Sequence, residues 1–79
     1  MADWRGHISV NPKVMFGKPC IAGTRIPVRD ILDKLAADIT VEQILRDYPT
    51  ITREDVMAAL AYAADVIGCE EVIPTEAIE

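Results

Sequence analysis

The chain has 79 residues and a formal net charge of −5, and hydrophobic residues make up 51% of it. This length predicts one domain with a small core, because chains this short bury only about 60% of their unfolded surface. The high apolar fraction favours association, and we expect a homodimer. Two cysteines, Cys20 and Cys69, are too few for a disulfide framework and indicate reduced thiols. With no signal peptide and no apolar run long enough to span a membrane, we expect a cytoplasmic protein.

Charge is divided along the chain. Residues 1–29 carry five cations and one acid, a net charge of +4, whereas residues 40–79 carry two cations and nine acids, a net charge of −7. Contacts with a phosphate backbone are therefore expected in the N-terminal third, because the C-terminal half would repel it. The candidate residues for partner or nucleic-acid contact are Lys13, Lys18, Thr24, Arg25 and Arg29.

The first third of the chain predicts a short β-ribbon. HISVNP alternates apolar and polar residues and ends in a turn signal, Asn11-Pro12. GKPCIAGTRIPV predicts two further extended pieces, one around Cys20 and one around Arg25. Gly23 is the expected bend between them, because glycine reaches positive φ without a steric penalty. Pro27 suits the first turn of a following helix.

Three apolar stripes with helical spacing follow the ribbon. Helix by helix, their positions are Val28, Ile31, Leu32 and Leu35; Val41, Ile44, Leu45 and Tyr48; and Val56, Ala59, Leu60, Ala63 and Ile67. Thr40 is the expected N-cap of the second helix, with Gln43 completing a capping box. Thr52 is expected to open the third helix, with Glu54 and Asp55 near its positive N-terminus.

These patterns predict a mainly α fold, in which residues 1–68 form a single ribbon-plus-three-helix domain. Residues 69–79, CEEVIPTEAIE, form an acidic C-terminal tail. We interpret the tail as a frayed terminus. The alternative is a segment that becomes ordered on a partner.

No pattern for catalysis, cofactor binding or metal binding stands out. A phosphate-binding loop would need a glycine where Pro12 stands, and Pro19 has no backbone N–H to donate. His7 is the single histidine, and neither cysteine has the spacing of a metal site. Neither Cys20 nor Ser9 has an identifiable base held by a third group. We therefore expect a protein that is not an enzyme and holds no cofactor.

Arg25 follows the Gly23 bend, so its guanidinium could reach a phosphate or a carboxylate. The interpretation we favour is an intramolecular ion pair with the acidic C-terminal half, which would tie the ribbon to the helices.

The second and third helices have lengths that suit a helix-turn-helix. The third begins Arg53-Glu54-Asp55, however, and phosphates would repel two acids where base edges would be read. Its alanine-rich face AALAYAADVI could instead admit another helix closely. The candidate dimer or partner contacts on this helix are Met57, Leu60 and Tyr62.

Two segments, GKPCIAGTRIPVRDIL and ITVEQILRDYPTITREDVMAALAYA, closely resemble the small prokaryotic family called domain of unknown function 433. The resemblance covers about residues 8 to 65. The matching positions are Gly17, Pro19, Ile21, Gly23, Thr24, Arg25, Ile26 and Val28, then Tyr48-Pro49, Thr52 and Tyr62-Ala63. There are two departures: Phe16-Gly17 replaces a glycine pair, and Asp38 replaces a glycine between the first two helices. The second suggests a turn of different shape.

The resemblance implies a homeodomain-like or winged-helix-like helix-turn-helix fold with a short N-terminal β element. It also implies the antitoxin half of a type II toxin–antitoxin pair, with a PIN-like ribonuclease as partner and possible autoregulatory DNA binding. Many antitoxins insert a basic residue into the acidic metal site of the toxin, and here Arg25 or Arg29 would do so. The tail has no cation, and we expect it to cover a basic RNA-binding surface of the toxin together with the third helix. The alternative is a stand-alone helix-turn-helix DNA-binding regulator.

Overall fold

Two short antiparallel strands and three helices make up residues 4–68, which is the part of the chain that the structure, a computed structural model, describes. Their bounds are β1 (Ile8–Ser9), β2 (Cys20–Ile21), α1 (Val28–Ala36), α2 (Val41–Asp47) and α3 (Arg53–Gly68). The predicted mainly α fold with an N-terminal ribbon is therefore confirmed. The predicted acidic tail, residues 69–79, lies outside the described residues.

The ribbon consists of β1 and β2, with Ile8 opposite Ile21 and Ser9 opposite Cys20. The extended piece expected around Arg25 is not a strand. It pairs with β2 only through an isolated bridge between Cys20 and Pro27, in which the Ile26 carbonyl accepts from the Ile21 N–H and the Pro19 carbonyl accepts from the Val28 N–H, both at 2.9 Å. With so few residues between the bend and the helix, a third strand has no length in which to form a ladder.

The predicted caps of α2 and α3 form to different extents. The Thr40 hydroxyl accepts from the Gln43 N–H at 3.1 Å, but the Gln43 side chain donates to Asp47 instead of returning to Thr40. At α3 the exchange is complete: the Asp55 N–H donates to the Thr52 hydroxyl at 3.2 Å and the Thr52 N–H to the Asp55 carboxylate at 3.0 Å. The full capping box therefore stands at α3 and only half of one at α2.

The core lies where α3 packs against α1, α2 and the ribbon. Its fully buried side chains include Ile21, Ile31, Ile44 and Val56. No buried polar side-chain atom among the described residues is left without a hydrogen bond. Burial of apolar surface, without buried charge, is therefore what stabilises this small fold.

The stripe predicted for α3 is partly wrong. Val56 and Ala59 are buried as expected, but Leu60 and Ile67 are exposed. Ala58 and Ala61 are buried instead, because small side chains let the neighbouring elements approach α3 closely. From residue 64 onward the helix is exposed throughout, since it runs past the elements that it packs on.

The turn between α1 and α2 contains Asp38 with a φ of 66°. This is the left-handed region that glycine favours and that aspartate tolerates better than most residues. The aspartate therefore occupies a conformation open to the glycine expected from the family pattern. Asp38 can therefore form the same turn that a glycine would form, and a turn of different shape is not needed to accommodate it.

The N-terminal segment is attached to α3, which the sequence pattern did not reveal. The Trp4 indole N–H donates to the Asp65 carboxylate, and the Trp4 ring meets Tyr62 edge to face with centroids 4.8 Å apart. His7 Nδ1 lies 2.8 Å from Asp55 Oδ1. These contacts hold the chain before β1 along the length of α3.

Candidate protein-interaction surface

Thr24 stabilises the turn that presents Arg25. Its hydroxyl donates to the Ile21 carbonyl at 2.8 Å and accepts from the Ile26 N–H at 3.1 Å, while its own N–H donates to Ile21 at 3.0 Å. Gly23, with a φ of 77°, supplies the predicted bend. Thr24 therefore acts within the fold, and the turn beneath Arg25 is held by three hydrogen bonds.

Arg25 is exposed and makes no ion pair or hydrogen bond within residues 4–68. The favoured interpretation of an intramolecular ion pair is therefore wrong for the described part of the chain. Two acidic side chains of that part are paired with other residues: Asp55 with His7, and Glu42 with Arg53. Arg25 instead borders a shallow concavity with a mixed polar and apolar lining, which includes Ser9, Asn11, Val14 and Thr24.

The other predicted basic contacts divide into two groups. Lys13 lies on the turn after β1, where its N–H donates to the Asn11 side chain at 2.9 Å. Lys18 and Arg29 lie on a different surface, at the rim of an apolar groove. Arg29 is loosely paired with Asp33, with Nε and Oδ2 3.7 Å apart. The fold therefore does not bring the five candidates together into one patch.

The apolar groove, of about 420 Å³, runs between the start of α1 and the exposed end of α3. Its apolar walls include Pro19, Pro27, Leu32, Tyr62, Val66 and Ile67. Exposed grooves lined almost entirely by apolar atoms mark interaction surfaces. The sequence contains two signals for this groove: the positions of Pro19 and Pro27, and apolar residues that continue to the end of α3. Only the tertiary structure shows that these residues line one groove.

A turn beside this groove exposes an aromatic side chain. Met15, Phe16 and Gly17 form one 3₁₀ turn with φ values of 49°, 58° and 81°, all in the left-handed region. Phe16 is 96% exposed. The sequence pattern marks this position only as a departure from a glycine pair, so the surface feature was not predicted.

The three contacts predicted on α3 have different surroundings. Met57 and Tyr62 are half-buried and pack against the core. Leu60 is 41% exposed and lies outside the apolar groove. Of the three, only Tyr62 contributes to the groove.

Cys20 is buried, and its thiol donates to the Lys18 carbonyl at 3.4 Å. Burial raises the pKa of the Cys20 thiol, and the nearby Asp30 carboxylate raises it further. A thiol so placed is a core group and not a nucleophile.

Residues 4–68 contain no cluster of three or more potential metal ligands, and none of their helices is long and apolar enough to cross a membrane.

A family model described as "Protein of unknown function (DUF433)" matches residues 8–63, from the first residue of β1 into α3. The chain belongs to the DUF433 family. The matched region spans the ribbon, the Arg25 turn and most of the groove walls. The resemblance drawn from the glycine–threonine–arginine segment and the tyrosine–proline turn is thus confirmed.

Among curated proteins, the DUF433 chain is 33% identical over 63 residues to the uncharacterized protein y4eO of Sinorhizobium fredii (strain NBRC 101917 / NGR234). The aligned part is 80% of this chain but 28% of y4eO, so the chain spans less than a third of that relative. No solved structure matches the chain.

Proposed function

We propose that this DUF433 protein is a protein-binding module, the antitoxin of a type II toxin–antitoxin pair, which binds and inhibits a PIN-like ribonuclease. The observation that carries the proposal is Arg25: an exposed guanidinium with no partner in residues 4–68, on a turn held by the hydrogen bonds of Thr24. A group held in place before binding loses less conformational entropy when it binds.

The chemistry of the guanidinium suits the site that such a toxin would offer. The active site of a PIN-like ribonuclease is acidic and binds metal, and a guanidinium pairs with carboxylates through two parallel hydrogen bonds. Arg25 would occupy this site and exclude the metal or the RNA. Arg29 is a weaker candidate, because Asp33 already lies 3.7 Å from it.

Replacing Arg25 with alanine is expected to abolish neutralisation of the toxin while leaving the fold intact. Truncating one partner of a buried charge pair costs about 2 to 5 kcal/mol, so the dissociation constant should rise at least about 30-fold. The dissociation constant of Arg25→Lys should lie between those of the wild type and of Arg25→Ala, because lysine keeps the charge but loses the planar fork. Calorimetric titration against the cognate toxin, together with a ribonuclease assay, measures both effects.

Arg46→Ala is the matched control, because Arg46 is an exposed cation in the last turn of α2. It should leave affinity and neutralisation unchanged. If Arg25→Ala and Arg46→Ala lost affinity for the toxin equally, binding would depend only on net charge. Arg25 would then not be a specific contact with the active site of the toxin.

The alternative function, DNA binding by a stand-alone regulator, would also use the ribbon side of the molecule. The cations there, Lys13 and Arg25, have side chains without a partner among the described residues. The N-terminus of α3 carries Glu54 and Asp55, which phosphates would repel.

If DNA is bound, replacing Lys13, Lys18, Arg25 and Arg29 with alanine should weaken affinity for all sequences alike. The slope of the logarithm of affinity against the logarithm of salt concentration should become shallower by about 0.9 for each phosphate that the variant no longer neutralises. Fluorescence anisotropy over a salt series measures this slope. An unchanged slope would place the DNA-binding cations elsewhere.

A further inference from the structure

The turn Met15–Gly17 holds Phe16 away from the rest of the fold. Its backbone is fixed by hydrogen bonds from the Gly17 N–H to Val14 at 3.0 Å and from the Lys18 N–H to Met15 at 3.1 Å. Left-handed φ values are unfavourable for Met15 and Phe16, and such conformations persist where the surroundings or a function require them. Within the described chain, the 96% exposed ring receives almost no burial in return.

The apolar groove begins two residues further along the chain. Lys18 and Pro19 lie at one side of it, and Val66 and Ile67 lie on α3. An exposed aromatic ring therefore lies two residues along the chain from the wall of an apolar groove. The apolar ring could fill such a groove, and the apolar lining of the groove could receive such a ring.

We infer that a second copy of this chain is the occupant of the groove, and that Phe16 of each copy inserts into the groove of the other. In a two-fold dimer the same surface is used by both chains, so an inserting group and its receptor must both lie near the axis. Phe16 and Pro19 meet this condition because they are three residues apart. Phe16 does not line the groove of its own chain, and its exposed ring is free to enter that of a neighbour.

The rim of the groove carries charges of both signs. Lys18 follows Phe16 and would arrive with it at the rim of the second groove, which carries the Arg29 guanidinium and, 3.7 Å from it, the Asp33 carboxylate. Asp33 is exposed and only loosely paired, so it is the group at this rim with which the incoming ammonium would pair.

Sedimentation equilibrium of the full chain over a concentration series tests the inference, and the wild type should reach twice the chain mass. Phe16→Asn removes the ring and suits the left-handed backbone, so the fold should be kept, as circular dichroism will check. We expect the dimer dissociation constant to rise about 30-fold or more, as for a central aromatic anchor. A wild type that stays monomeric, or a variant that dimerises as before, would overturn the inference.

Val66→Glu tests the groove, because Val66 is 43% exposed and its replacement leaves the core intact. It should weaken dimerisation as Phe16→Asn does. Val10→Asn is the control, an exposed apolar residue of the ribbon outside the groove, and should have no effect. Leu60→Asn tests pairing through the alanine-rich face of α3 instead. Loss of the dimer with this variant alone would contradict insertion of Phe16.

Mixing the two weakened variants gives the sharpest test. The Phe16→Asn chain has an intact groove and the Val66→Glu chain has an intact ring, so a mixed dimer keeps one of its two insertions. It should form more readily than either variant dimer, as measured by native mass spectrometry. No preference for the mixed dimer would refute reciprocal insertion, and masses beyond two chains would refute the two-fold arrangement. The protein alone is used, so the outcome is independent of the toxin proposal.

Discussion

Replacing Ile44 with alanine is expected to remove a large part of the stability of the fold. Ile44 is fully buried on the inner side of α2, in the same core cluster as Ile31 and Val56. Truncating a buried isoleucine costs about 2 to 5 kcal/mol, because apolar burial is lost and a cavity remains. A domain of this size has a free energy of unfolding of only about 4 to 12 kcal/mol. The melting temperature should therefore fall by at least about 10 °C.

Urea denaturation followed by circular dichroism measures this loss. Leu60→Ala is the control, because Leu60 is 41% exposed and should change the free energy of unfolding by about 0.5 kcal/mol. Both variants should be compared at one protein concentration, since dimerisation adds to apparent stability. Similar losses in the two variants would contradict the placement of α2 against the core.

Replacing Asp55 with alanine should be the next most damaging change. The carboxylate accepts from the Thr52 N–H at 3.0 Å and lies 2.8 Å from His7, so it caps α3 and attaches the segment before β1. Removing a cap costs about 1 kcal/mol, and removing the hydrogen bond with His7 costs about 1 kcal/mol more. We expect a loss of about 2 kcal/mol. Glu54→Ala, in the same turn but exposed and without a hydrogen-bond partner in the described chain, should cost far less.

The contribution of Asp55 should also depend on pH. Burial acts to raise the pKa of its carboxyl group, but the hydrogen bonds to His7 and Thr52 outweigh burial and lower it. The folded-state pKa of Asp55 lies below the unfolded-state value of about 3.9. The stabilisation by Asp55 is therefore complete when the pH is above the unfolded-state pKa. It is lost as the pH falls through the folded-state pKa. The gap in unfolding free energy between wild type and Asp55→Ala should narrow below about pH 4, and a constant gap would exclude this linkage.

Local features of this protein could be predicted from its sequence. The helix starts at Thr40 and Thr52 and the bend at Gly23 each depend on residues within four positions of one another. Caps, turns and apolar spacing are short-range interactions, and their residue types appear directly in the sequence. The family assignment has the same origin, because its motif is the Gly23-Thr24-Arg25 turn and its flanks.

The surroundings of Arg25 and of the groove residues were decided by tertiary packing. Nothing near Arg25 in sequence shows that its guanidinium has no partner in residues 4–68, because that depends on where distant carboxylates lie. The buried side of α3 follows Ala58 and Ala61, since close approach of α1 and the ribbon, and not hydrophobicity, selects the inner face. The groove beside Phe16 forms because α3 runs past the elements that cover it. The sequence by itself determined the helices, the ribbon and the Gly23 turn. Packing between elements about 30 or more residues apart, such as the start of α1 and the end of α3, decided which surfaces remain for a partner.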